Sequence, residues 1–137
     1  MAGITDAPPY TGFAARAGLD ARIDASVTLT KARRVILIGF SQGAIMALDG
    51  VARGKVAEVV AVVGRLAFGD TPTPSPKARA LLVGGTVDQI MPHHLSTEAA
   101  DRFSARGVAT KIAILPGVTH TITAEGITLA QAVIVAG

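Results

Sequence analysis

Cysteine and tryptophan are absent from the 137 residues. Without a thiol there is no disulfide, no thiolate nucleophile and no zinc ribbon, so cysteine usage leaves the compartment open. Aromatic residues make up only 4% of the chain. Single-stranded nucleic acid is usually held on aromatic stacking platforms, and no nucleic-acid partner is expected. No uninterrupted apolar run approaches the ~20 residues of a membrane span, so membrane insertion is not expected either. Met1 to Pro9 carries Asp6 and two prolines where a secretory leader needs a basic start and an apolar stretch. A soluble, cytoplasmic protein is the expectation.

Charge is scarce too, at 17% of residues, and the net +3 comes from 13 basic and 10 acidic residues scattered along the chain. Lys31, Arg33 and Arg34 form the tightest basic cluster, which reads as a solvated strand entrance rather than a phosphate patch. Phosphate loops are missing as well. The segment Gly50 to Val56 has too few residues between its glycines for a Walker A loop, and Lys55 is not followed by Ser or Thr. No Gly-x-Gly-x-x-Gly occurs after any strand-like run.

Half of the residues are hydrophobic, mostly Ala, Val, Ile and Leu, enough for a compact interior in a chain that could bury roughly two thirds of its unfolded surface. One domain over residues 1–137 is expected. After an irregular lead-in marked by Gly3, Pro8, Pro9 and Gly12, apolar positions at Ala15, Leu19, Ile23 and Val27 predict an amphipathic helix from Phe13 to Thr30. Val35-Ile36-Leu37-Ile38 predicts a strand covered on both faces, as parallel sheets require. A helix follows over 42–53, a strand over 56–63, a proline-rich loop over 70–76 and a strand over 78–83. Pro92 opens a helix that Gly107 closes. A strand over 110–115 and a helix over 124–135 complete the chain. This alternation predicts an α/β fold with a mainly parallel sheet of about four strands and helices on both faces.

Gly39-Phe40-Ser41-Gln42-Gly43 fits Gly-x-Ser-x-Gly at a strand-to-helix turn, the pattern of a nucleophile elbow. Such a turn pushes a serine Oγ out beyond the carboxyl end of the strand, and glycines on either side leave room for the chain to pack. The backbone N–H of Gln42, with the helix N-terminus behind it, would face the oxyanion of a tetrahedral intermediate. A hydroxyl nucleophile needs a base, and the base needs an orienting acid. Asp88 ends the turn after the 78–83 strand, and His120 ends the turn after the next. Both therefore belong to the sheet edge where α/β sites assemble, and Ser, Asp, His is the chain order of α/β-hydrolases.

Other polar residues read more plainly. His93 and His94 are neighbours and would point ~100° apart on a helix, so they cannot grip one ion from one face. Solvated or capping roles suit them better. Asp20 with Asp24, and Glu98 with Asp101, are helically spaced surface charges rather than acid–base couples. No metal or cofactor is implied.

Three segments together resemble the carboxylesterase/phospholipase/acyl-protein-thioesterase family of α/β-hydrolases. They are Gly39-Phe-Ser-Gln-Gly-Ala44 with Ile45-Met46-Ala47-Leu48, then Val83-Gly-Gly-Thr-Val-Asp88-Gln-Ile-Met-Pro92, then Gly117-Val-Thr-His120-Thr-Ile122. The resemblance runs from about Arg33 to the C-terminus. It implies Ser41 as nucleophile, Asp88 as orienting acid and His120 as general base, acting on a small carboxylic ester, with short acyl chains favoured. The chain departs from the family in having Gly84-Gly85 where His-Gly is usual and Thr119 where Gly precedes the histidine. It is also shorter than family members at the N-terminus, where they carry further strands and a His-Gly-x-Gly loop with a second oxyanion donor. Two expectations follow. Activity is weak unless another N–H substitutes, and the strand at Val35 to Ile38 is an open apolar edge through which a homodimer or higher homo-oligomer forms. The alternatives are a catalytically weak or inactive hydrolase domain serving as an interaction module, and a flavodoxin-like ligand-binding domain.

Overall fold

The computed structural model describes residues 9–67 and 71–136, with side chains from Ala14 onward. Of the irregular lead-in expected over residues 1–12, residues 1–8 lie outside the described residues, as does Asp70 of the proline-rich loop, whereas residues 9–12 are not irregular but form the first turn of a helix. Eight elements follow in the order α1 (Pro9–Thr30), β1 (Ile36–Phe40), α2 (Gln42–Ala52), β2 (Glu58–Val62), β3 (Arg79–Gly85), α3 (His93–Ser104), β4 (Ala109–Leu115) and α4 (Ala124–Val135). The alternation expected from apolar periodicity is the one observed.

The four strands form one sheet in the order β1-β2-β3-β4, and every neighbouring pair is parallel. Because each crossover steps in the same direction, right-handedness puts α2 and α3 on one face of the sheet. There Leu37, Val59, Ala61, Ala80 and Leu82 pack against Ile23 of α1, Leu48 and Val51 of α2, and Phe103 of α3. The alternate strand residues Val60, Val62, Leu81 and Val83 point the other way, where Ala130, Leu129 and Val133 of α4 meet them. All five residues of β2 are buried, as expected of a strand sandwiched between layers.

β1 departs from the expectation of cover on both faces. It is the edge strand, partly exposed throughout, and Ile38 is 52% exposed. Among the described residues α4 is the helix that lies along β1 on that face, and it leaves Ile38 half exposed. The periodicity of α1 also holds only in part. Leu19, Ile23 and Val27 face the core, whereas Ala15 is exposed.

Ion pairs that spacing did not reveal lock the helices in place. Asp49 on α2 is only 3% exposed. It accepts from Arg16 Nε and Nη2 at 2.8 and 2.7 Å and from Arg53 Nε at 2.9 Å. Arg53 also donates through both Nη atoms to Asp20, each at 2.9 Å. Asp24 is the exposed surface charge expected and pairs with Lys55. Arg34, expected at a solvated strand entrance, is only partly exposed: it forks onto Glu58 at 2.6 and 2.9 Å and donates to the carbonyls of Val133 and Ile134. Those carbonyls belong to the last turn of α4, which has no intrahelical partners for them. One guanidinium thus ties the end of α4 to the start of β2.

The side-chain hydrogen bond from Arg53 holds the Asp20 carboxyl below its ordinary value of 3.8, and that from Arg34 holds Glu58 below 4.5; burial opposes both. The unfolded chain therefore binds these protons more readily than the folded one. The stabilisation is present above the ordinary values and is lost as pH falls through the lowered ones. Urea unfolding midpoints should fall on acidification below about pH 4.5, and less steeply in Glu58→Gln. Asp49→Ala should cost on the order of 2 kcal/mol by the same measurement, below the ~3–5 kcal/mol of a fully buried pair because both arginines reach solvent.

Candidate active site

Ser41 sits between β1 and α2 with φ 55° and ψ −117°, a left-handed conformation that costs a non-glycine residue on the order of 1–3 kcal/mol. Its neighbours hold it there. Its N–H donates to Val62 O at 3.0 Å, and its carbonyl accepts from Ile45 N at 3.0 Å as the first bond of α2. The bend brings Gly43 O to within 2.3 Å of where a Cβ on Gly39 would stand. Only glycine fits at 39. Gly43 is different, since a Cβ built there meets nothing within 4 Å. The steric need expected of both glycines belongs to the first alone.

Asp88 lies in the turn between β3 and α3, with its side chain wholly buried. Its Oδ1 accepts from the N–H groups of Ile90 and Met91 at 2.9 and 2.8 Å, which leaves Oδ2 for His120 Nδ1 at 2.9 Å. His120 Nε2 lies 3.0 Å from Ser41 Oγ. The network fixes the tautomer: a carboxylate only accepts, so Nδ1 carries the proton and Nε2 receives the serine hydroxyl. The Phe40 ring flanks the imidazole, with centroids 5.0 Å apart and planes at 47°.

Three residues from positions 41, 88 and 120 are thus joined in one hydrogen-bonded line at the carboxyl ends of β1, β3 and β4. Gln42 begins α2, so its N–H is in the first turn and lacks an intrahelical acceptor.

What carries His120 to Asp88 is a seam between two loops. Val87 N donates to Val118 O, Thr86 N to Leu115 O, and Gly117 N to Thr86 Oγ1 at 2.7 Å. A Cβ on Gly85 would stand 2.2 Å from Val118 O, so the glycine lets the loops close. The sequence marks Gly84-Gly85 as a departure from the family pattern but gives neither Gly85 nor Thr86 this role. The only available signal was the glycine pair before the acid turn.

The remaining histidines stay apart from this line. His93 begins α3 beside Gly84, and His94 is exposed. Among the described residues, no cluster of three or more His, Asp or Glu could hold a metal ion, and no helix is long and apolar enough to cross a membrane.

Residues 15–136 match the family profile described as Phospholipase/Carboxylesterase. No curated protein matches the chain. Among solved structures, the chain is 26% identical to esterase PE8 over 91% of its own length and 61% of that chain, with a TM-score of 0.78. SOBER1 of Arabidopsis thaliana is 20% identical over 91% of this chain and 63% of that one, with a TM-score of 0.81. The Bacillus cereus carboxylesterase is 16% identical over 88% and 59%, with a TM-score of 0.76. The likeness to the last two is one of fold. The chain spans about three fifths of the length of these structures.

Gly39→Ala should disrupt the bend, since backbone rather than a yielding side chain occupies the space. A loss of at least the ~1–3 kcal/mol typical of overpacking is expected in denaturant unfolding, while Gly43→Ala should leave stability within about 1 kcal/mol.

Proposed function

The chain belongs to the phospholipase/carboxylesterase family, and from that premise we propose that it hydrolyses small carboxylic esters through Ser41, His120 and Asp88. The observation that carries the reading is the line from Ser41 Oγ through His120 to Asp88, at 3.0 and 2.9 Å.

Ser41 Oγ attacks the ester carbonyl carbon as His120 Nε2 takes the hydroxyl proton. Asp88 Oδ2 holds the Nδ1 proton and steadies the imidazolium that forms, without itself taking a proton. The carbonyl π electrons move onto oxygen, and Gln42 N–H donates to that oxyanion. As the carbon–oxygen bond to the alcohol breaks, the imidazolium returns its proton to the departing oxygen. Water then attacks the acyl-enzyme with His120 again as base, releasing the acid and restoring the serine.

The turns around the line, over residues 86–92 and 116–123, are short, and the His120 side chain is 17% exposed. A site this close to solvent supports small, short-acyl esters over long lipids. Gln42 N–H is the donor assigned to the oxyanion, and losing one such donor commonly costs ~10²–10³ in rate.

Turnover of p-nitrophenyl acetate by the wild type should exceed that of Ser41→Ala clearly, and a fluorophosphonate probe should label only the wild type. Asp88→Asn, which presents its amide N–H to Nδ1 and favours the wrong tautomer, should lower kcat by up to ~10⁴ without loss of fold. Equal rates for wild type and Ser41→Ala, with no labelling, would leave a binding or interaction module in place of an enzyme.

A further inference from the structure

The hydrogen bonds that join the loop after β3 to the loop after β4 are unequal in kind. Two run from backbone to backbone, Thr86 N to Leu115 O and Val87 N to Val118 O, each at 3.1 Å. The third is the 2.7 Å bond from Gly117 N to Thr86 Oγ1, and it uses a side chain. Thr86 thus enters the seam twice, once through its N–H and once through its hydroxyl.

The turn on the His120 side has little to close it from within. Between Leu115 and Val118 stand Pro116 and a left-handed Gly117 with φ 73°, the composition of a type II turn. The bond that closes such a turn, Val118 N to Leu115 O, is 3.4 Å long, beyond the ~2.7–3.2 Å of ordinary N–H···O bonds. Its acceptor is shared, because Leu115 O also receives Thr86 N. Type II differs from the commoner type I chiefly in the rotation of the central peptide, and the N–H of that peptide belongs to Gly117. The group that accepts from Gly117 N therefore sets which way the turn is wound. That group is Thr86 Oγ1.

We propose that the Thr86 hydroxyl is a positioning group for His120: it pins the peptide between Pro116 and Gly117, and so fixes the loop that carries the imidazole onto Asp88 Oδ2 and Ser41 Oγ. Thr86 acts through the loop rather than on substrate. Its exposure, and that of Gly117, separate this role from a part in the core. A Gly117 N–H that loses the hydroxyl is met by water, so the fold loses little while the turn loses its orientation. The effect on hydrolysis rests on the reading of Ser41, His120 and Asp88 as the reacting line; the coupling of Thr86 to the bond between His120 and Asp88 does not, and is observable without turnover.

Thr86→Val replaces the hydroxyl by a methyl of similar shape, and Thr86→Ser keeps it. Proton NMR of the wild type should show a His120 Nδ1–H signal moved far downfield by Asp88; it should broaden or vanish in Thr86→Val and persist in Thr86→Ser. Val87 N–H, whose acceptor is a backbone carbonyl, should exchange with solvent about tenfold faster in Thr86→Val alone, the scale of one lost hydrogen bond. Urea midpoints of the three proteins should coincide. With p-nitrophenyl acetate, kcat should fall ~10–100-fold in Thr86→Val at unchanged KM, within what a displacement of about 1 Å costs, and Thr86→Ser should restore it. An unchanged Nδ1–H signal and unchanged Val87 exchange in Thr86→Val would overturn the proposal. So would a Thr86→Ser protein that behaves like Thr86→Val, or a fall in urea stability large enough to account for the effect. A wild type that shows the Nδ1–H signal but turns over no ester would instead sink the hydrolytic reading, with the role of Thr86 still decided by the NMR comparison.

Discussion

The close approach of two backbones at Gly39 and Gly43 is the contact on which the rest of the site depends. It allows β1 to turn into α2 within one residue, and that residue is Ser41, held in a left-handed conformation by a bond to β2 on one side and the first bond of α2 on the other. The strain at Ser41 is offset by the packing of both flanking elements, whose residues Leu48, Val51, Val59 and Val60 are almost wholly buried. A hydroxyl is thereby fixed at the rim of the sheet before any base is considered.

His120 and Asp88 are brought together by a second close approach of similar character. Gly85 lets the loop after β4 close over the loop after β3, and hydrogen bonds across the seam set His120 against Asp88. Each member of the line is thus positioned by backbone contacts rather than by its own side chain. Asp88 illustrates the economy of the arrangement: one carboxyl oxygen is spent on the turn that begins α3, the other on the imidazole. The same residue closes the loop and orients the His120 ring. Phe40, packed against the imidazole, belongs to the strand that ends at Ser41.

Beneath the rim, charge does the work of tethering. Asp49 and Glu58 are buried acids, each met by arginine, and they join α1 to α2 and α4 to the sheet. The tie at Arg34 matters to the site because α4 directly follows the histidine loop. Fixing the far end of that helix fixes the direction from which His120 enters.

Much of this was legible in the chain itself. The alternation of apolar runs with helical spacing determines an α/β order, because side-chain period is a local property. The serine elbow was legible because a strand, a tight turn and a helix are contiguous in sequence, and Asp88 and His120 because each ends a turn after a strand. Local pattern could not decide which strand lies at the edge: Val35 to Ile38 is as apolar as a buried strand, and only the sheet order leaves Ile38 exposed. Nor could it find the bond from Arg16 to Asp49, the α4 carbonyls that Arg34 meets, or the service of Gly85, since those depend on atoms 30 or more positions apart meeting in space. Periodicity determined the elements and their order; tertiary contact alone decided the distances of the site, because hydrogen bonds between distant loops exist only after the sheet has brought their ends together.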